Sequence, residues 1–235
     1  MTQHTVSSFD EELKSLDDMV MKMARSVIRQ HGDCSALMSA RDAVLAGRII
    51  DGDRAIDDLQ AAIEEETVRV IAKRQPLAID LRTVISTLKM ATDLERIGDL
   101  VKNNAKRMLA SSAQSQLPPG AANLTLLNER VGDQLERMLE AFEQRDEKLA
   151  KEVWLRDIEI DTLQTSLFRE LLTYMMEDPR NIGYCTHLLF CARNLERIGD
   201  HATNIAEQVH YIVTGTNMPV DRPKGDNPPA AAGSK

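Results

Sequence analysis

Eight acidic residues of this chain fall into four pairs spaced four residues apart: Asp53/Asp57 and Glu95/Asp99, then Asp157/Asp161 and Glu196/Asp200. On a helix, residues at that spacing share one face, about one turn or roughly 6 Å from each other. The chemistry open to such groups is cation binding, since carboxylates gathered together repel and a multivalent cation relieves the repulsion. An all-oxygen donor set suits hard divalent or trivalent ions, with magnesium, manganese or iron favoured and zinc, which prefers softer ligands, still admissible. Asn103 and Asn204 stand one turn beyond the second acid of their segments, where each could add a carbonyl oxygen or hydrogen-bond a ligand. With 37 acids in 235 residues, a lone pair at this spacing means little. Placement by the fold must give these eight their weight.

Helices are the elements that do the positioning. All eight prolines fall where a helix could begin or end, and an interior proline costs about 3 kcal/mol. The stretches between them predict helices over roughly 8–39, 43–73, 76–112, 122–143, 146–177 and 179–214. Hydrophobic residues make up 43% of the chain but aromatics only 3%, an aliphatic core that suits helix-on-helix packing. The two halves repeat each other. At an offset of 104, residues 41–60 match 145–164 at nine positions; at an offset of 101, residues 88–103 match 189–204 at nine of sixteen. The second block holds Leu94-Glu-Arg-Ile-Gly-Asp99 against Leu195-Glu-Arg-Ile-Gly-Asp200. The expected architecture is therefore all-α: two tandem three-helix bundles, 8–112 and 122–214, related by a pseudo-two-fold axis. A Pro-Pro-Gly linker joins them, and a Pro-, Gly- and Asp-rich tail, 215–235, is expected to be disordered.

In an antiparallel hairpin, positions equidistant from the turn lie at one height. The first two acid pairs centre on residues 55 and 97, whose midpoint is Pro76; the other two centre on 159 and 198, whose midpoint lies beside Pro179. Both hairpins thus bring four carboxylates to one level. On the last helix Leu195, Ile198, Ala202, Ile205 and Val209 form an apolar stripe, and Glu196 and Asp200 point away from it. The acids are accordingly expected on an exposed face and not in a core. A solvated charge face, with Arg96 and Arg197 making ordinary surface pairs, is the competing reading. Gly98 and Gly199 recur at equivalent mid-helix positions, where each costs about 1 kcal/mol relative to Ala. Close approach by a backbone, a metal's ligands or a partner would explain them, and so would tight helix packing.

A net charge of −8 and a pI near 5.2 argue against nucleic acid, which attracts basic surfaces. No apolar run approaches the ~18 residues of a membrane span. The opening residues lack the basic and apolar regions of a signal peptide, and three cysteines without a framework suit reduced thiols, so a cytoplasmic location is expected. No P-loop, nucleophile elbow or zinc-protease motif occurs. His187 and Cys191 read as packing residues, His201 as a surface histidine, and Trp154, Met175 and Met176 as core filler.

Several segments together carry a family resemblance: Ala72-Lys-Arg-Gln-Pro76 with Asp80-Leu-Arg82, both Leu-Glu-Arg-Ile-Gly-Asp blocks, Leu172-Thr-Tyr-Met-Met-Glu-Asp178, and Phe190-Cys-Ala-Arg193. In order and in both repeats, over about residues 8–214, they resemble the PhoU family of phosphate-system regulators. That resemblance implies pseudo-symmetric three-helix bundles, often a homodimer, and metal clusters on Glu/Asp-xxx-Asp motifs, here the four pairs above. It also implies a non-enzymatic negative regulator peripheral to the membrane. Such a regulator links the ATPase subunit of a phosphate ABC transporter to a sensor histidine kinase, and so acts indirectly on transcription. One departure is Asn194 where repeat one has Asp93, which would make the two sites differ in charge if that position is a ligand. The alternative is a ferritin-like metal-dependent oxidase or metal-storage bundle, although such bundles use a Glu-x-x-His motif that is absent here.

Overall fold

Asp42 and Asp146, equivalent in the repeat, open corresponding helices in the same way. The Asp42 carboxylate accepts from the Val44 N–H at 2.8 Å, and that of Asp146 accepts from Lys148 and Leu149 at 2.8 and 3.1 Å. Each satisfies amides that have no partner within the helix. The computed structural model describes residues 2–40, 42–111 and 121–219. Six long helices run α1 Thr2–Ala40, α2 Ala43–Arg74, α3 Ile79–Ser111, α4 Ala121–Gln144, α5 Glu147–Glu177 and α6 Ile182–Thr214, and among the described residues there is no strand.

The turns differ from expectation in detail. Pro76 does not open α3. Gln75 takes a left-handed conformation (φ 47°) and closes α2 through its N–H on the Ile71 carbonyl, Ala78 is left-handed too (φ 49°), and α3 starts at Ile79. In the second repeat Pro179 begins a 3-10 turn, Pro179–Asn181, before α6. A single predicted helix over 179–214 is thus split, because the Asp178 side chain holds the Arg180 N–H at 2.9 Å and tightens the first turn.

α1–α3 and α4–α6 form the two repeats, but they are not separate globules. Residues of all six helices, among them Met23, Ile49, Leu94, Leu127, Ile160 and Leu195, belong to one continuous core. α3 and α6 lie antiparallel at its centre. Arg82 near the start of α3 donates to the Tyr211 carbonyl at 3.2 Å near the end of α6, and at the other end the Arg107 guanidinium sits 4.0 Å from the Phe190 ring centroid. The hairpin turns therefore point to opposite ends of the molecule. Trp154 and Met175 pack as expected, but Met176 is 78% exposed, on the outer side of α5 in line with Leu172 and Phe168. The cysteines are free and buried. Residues 112–120 of the linker and 220–235 of the tail lie outside the described residues; Gly215–Pro219 do not, and Met218 joins the core.

Candidate functional site

The first carboxylate cluster lies between α2 and α3. Asp53 and Asp57 come from α2, Glu95 and Asp99 from α3, and the Lys102 ammonium bridges the two helices, bonding Asp53 and, at 2.5 Å, Asp99. One ammonium can reach both only if the two acids stand at the same height. The other two acids share the field. Asp57 is raised above the ordinary carboxylate range by desolvation and then by Asp53, and Glu95 by desolvation and then by Asp99 and Asp57. Burial works against the charge on Lys102, but its bonds to Asp53 and Asp99 outweigh that and hold its pKa above the usual lysine value.

The second cluster repeats the frame with different contents. Asp157 and Asp161 come from α5, Glu196 and Asp200 from α6. Desolvation, followed by the charge of Asp200, pushes the Glu196 carboxyl up to about 7; Arg193 opposes this and Asp161 adds to it. Arg193 donates to one Glu196 oxygen at 2.7 Å, while the other, Oε2, is buried with no hydrogen-bond partner. At the position equivalent to Lys102 stands Thr203, whose hydroxyl lies 3.1 Å from Asp157 Oδ1. The Gln134 amide, contributed by α4, donates to the same Asp157 oxygen at 3.1 Å and to the Thr203 hydroxyl at 3.2 Å.

The expectation of an exposed face needs correction. Asp53 and Asp157 are 4% and 1% exposed, buried at the inner edge of each cluster, while Asp57 is exposed and the remaining acids are partly so. The recurring glycines make the room. A Cβ on Gly98 would meet Ile56 at 3.1 Å and Asp53 Oδ1 at 3.5 Å; one on Gly199 would meet Gln134 Oε1 at 3.0 Å and both Asp157 Oδ1 and Ile160 at 3.2 Å. Of the earlier explanations, tight helix packing is the one seen: Ile56 fills the space at Gly98, and Gln134, Asp157 and Ile160 fill it at Gly199. Periodicity missed this because an aspartate one helix away fills the gap in the apolar stripe.

Asn103 is exposed, and Asn204 donates to Asp93 at 3.3 Å, so neither hydrogen-bonds a cluster acid. Asp93 and Asn194 face the opposite repeat instead. Asp93 pairs with His201 Nδ1 at 2.7 Å, and Asn194 donates to Asn104 at 2.8 Å. His201 is thus a half-buried link between α3 and α6, not a free surface histidine, and the Asp93/Asn194 difference leaves both clusters untouched.

Among the described residues no three of these acids stand close enough to share one ion. The donors nevertheless fit hard cations. They are oxygen ligands, Glu196 Oε2 is unsatisfied, and the more exposed Asp57 and Asp99 have room to rotate. A magnesium-like ion that keeps several waters needs only one or two carboxylates. Lys102, Thr203 and Gln134 are the residues that sequence reading passed over. The Lys102/Thr203 mismatch stood inside the second repeat block, but a mismatch carries no meaning until geometry shows what it touches.

Comparison with known proteins follows the same lines. The model of the PhoU domain matches residues 20–108 and 124–209. A phosphate-specific transport system accessory protein PhoU homolog of Rhizobium meliloti (strain 1021) is 47% identical over 223 residues, 95% of this chain and 94% of the relative. Its counterpart in Caulobacter vibrioides (strain NA1000 / CB15N) is 45% identical over 226 residues, 96% and 98% of the two chains. The crystal structure of PhoU from Pseudomonas aeruginosa superposes with a TM-score of 0.85 at 39% identity, covering 88% of this chain and all of that one. The structure of the phosphate transport system regulatory protein PhoU from Streptococcus pneumoniae gives 0.83 at 30% identity, over 90% of this chain and 100% of that one.

Proposed function

Since the chain belongs to the PhoU family, we propose that it is a regulatory accessory protein of a phosphate transport system, holding the phosphate-starvation response off when phosphate is plentiful. The role is one of binding and not of catalysis. The observation that carries it is similarity to named phosphate-transport accessory proteins over nearly the whole length of both chains. No helix among the described residues is long and apolar enough to cross a membrane, so contact with the membrane would run through partners. Those partners are a phosphate ABC transporter, through its ATPase subunit, and a membrane sensor histidine kinase. A homodimer at the cytoplasmic face of the membrane is the form we propose.

The carboxylate clusters are the proposed metal sites: Asp53, Asp57, Glu95 and Asp99 in one half, Asp157, Asp161, Glu196 and Asp200 in the other. A bound hard cation would supply charge neutralisation and a staple across each hairpin. Asp53 and Asp157 anchor the inner edge from burial, and the outer acids turn inward to complete the shell. Stapling α2 to α3 and α5 to α6 would fix the surface offered to the partners.

The test is allelic replacement in the native host with a phosphate-starvation reporter. Deletion of the chain is expected to derepress the reporter in high phosphate, and Glu196→Gln with Asp200→Asn is expected to do so in part. A deletion that leaves the reporter repressed would sink the regulatory reading. Oxygen consumption by the purified chain on addition of Fe²⁺ would instead favour the ferritin-like oxidase.

A further inference from the structure

We propose that the cavity between α1 and the α4–α5 turn binds a small anion that carries two or more linked phosphate groups. The proposal uses none of the cluster acids and goes beyond the metal and adaptor readings. The cavity holds about 560 Å³, within the range of ordinary small-molecule sites. Its wall carries five cations, Lys14, Lys22, Arg25 and Arg29 from α1 and Arg145 from the turn. Against them stand the acids Asp17, Asp18 and Glu143, which leaves a surplus of two positive charges in a chain whose net charge is −8. Met21 and Phe142, both buried, form the apolar floor. Since α1 belongs to the first repeat and the turn to the second, a ligand here touches both halves.

The duplication does not account for this surplus. Val20, Met23, Val27 and His31 of α1 take the buried positions of Leu124, Leu127, Val131 and Leu135 of α4, at an offset of 104. Arg25 and Arg29 therefore correspond to Glu129 and Asp133, and the same helix face is basic in one half and acidic in the other. Lys22, Arg25 and Arg29 follow one another along α1 over roughly 10 Å, a row that linked phosphates engage at several points and a single phosphate does not. Arg25 is held by Glu143 at 3.0 Å, with both side chains more than half exposed, and Arg145 by Asp17. Among the described residues no carboxylate closes on Lys14, Lys22 or Arg29. An exposed pair is worth about 0–1 kcal/mol, so a phosphate can take Arg25 from Glu143 at little cost. Arg145 is kept in place against a cost. Its backbone is left-handed (φ 51°), where glycine is favoured, and its guanidinium lies 4.6 Å from the Phe142 ring centroid. Its Nη1 is buried without a hydrogen-bond partner, as is Asp17 Oδ1, so the pair is a single bond and not a fork. Guanidinium donors are thus left for a phosphate oxygen, the acceptor their planar geometry suits.

The experiment is equilibrium dialysis of the full chain against labelled ATP, in EDTA to keep metal off the carboxylate clusters, with inorganic tripolyphosphate as competitor. The native chain is expected to bind ATP saturably, tripolyphosphate to displace it, and sulfate at the same concentration to leave it bound. Displacement at matched concentrations marks the phosphate chain alone as the recognised group, and a tenfold or greater preference for ATP adds the nucleoside; either supports the site and tells the inorganic source from the nucleotide. Lys22→Gln with Arg29→Gln, both exposed, should weaken binding by roughly tenfold or more. Arg145→Gly, which relieves the left-handed backbone while removing the guanidinium, should do the same. Asp18→Asn with Glu143→Gln should tighten binding by roughly threefold. Arg54→Gln with Lys106→Gln, an equal loss of charge at exposed positions of α2 and α3, should leave it within about twofold. No saturable binding of either compound at millimolar concentration overturns the proposal. So does binding that survives Lys22→Gln with Arg29→Gln, or that falls equally in the Arg54 and Lys106 variant.

Discussion

Replacing each recurring glycine by alanine separates two effects that normally travel together. In a helix interior Gly→Ala gains about 1 kcal/mol from backbone entropy. Against this stands the space the methyl needs. At Gly98 the tightest contact, 3.1 Å, is to the terminal methyl of Ile56, the far end of a flexible side chain, and Asp53 lies at an ordinary 3.5 Å. A small rotation of Ile56 suffices, so Gly98→Ala should be neutral or stabilising by up to about 1 kcal/mol. At Gly199 the same methyl meets Gln134 Oε1, Asp157 Oδ1 and Ile160 Cδ1 at 3.0–3.2 Å, and two of these belong to a buried polar network. All three must shift together. Overpacking of that kind costs about 1–3 kcal/mol, so Gly199→Ala should be destabilising by up to about 2 kcal/mol after the propensity gain. Urea unfolding of the metal-free chain, followed by circular dichroism, reads the difference as a change of midpoint at constant slope. Gly199→Ala proving as stable as Gly98→Ala would refute the claim that the second glycine exists to seat Asp157 and Gln134.

Two further outcomes follow from titratable groups. Glu196 has a folded pKa of about 7 against 4.5 for the free side chain, so its contribution is fully present below 4.5 and is lost as pH rises through 7. Glu196→Gln in the metal-free chain should therefore gain about 1–3 kcal/mol relative to native at a pH of about 8 and little near pH 4, checked by denaturant unfolding at each pH. His31 has the opposite sign. Burial, with Gly132 of α4 close by, pushes it down to about 4 from 6.5, so the folded chain loses stability as pH falls through that window, by up to about 3 kcal/mol. The two groups nearly cancel in the native chain. The histidine slope should emerge in the Glu196→Gln background and flatten when His31→Gln is added; an unchanged slope would place the pH dependence elsewhere.

The helices, their order and the repeat were legible because proline punctuation and identical blocks are one-dimensional signals. The meeting of Asp53 and Asp99 was legible too, since in an antiparallel hairpin residue arithmetic is geometry: 53 meets 99 through Lys102, as a turn near 76 requires. What lay beyond the sequence was depth. A helical stripe shows which way a residue faces on its own helix, not what the neighbouring helix brings to meet it, and so Asp53 and Asp157 were expected outside and are found inside. The same limit hid Gln134, which reaches the second cluster from α4, and the link from Asp93 to His201 and Asn204, which depends on α3 and α6 packing antiparallel. The turn residues fell between these extremes. Prolines 76 and 179 marked the places, but only backbone angles show that one precedes left-handed Ala78 and the other opens a 3-10 turn.

The most direct test of the account is a crystal of the full chain grown in Mn²⁺, with anomalous scattering recorded at the manganese edge. The account predicts manganese peaks between α5 and α6, ringed by Asp157, Asp161, Glu196 and Asp200, and between α2 and α3, beside Asp53, Asp57, Glu95 and Asp99. Manganese peaks away from both hairpins, or no peak between α5 and α6 at saturating metal, would contradict it.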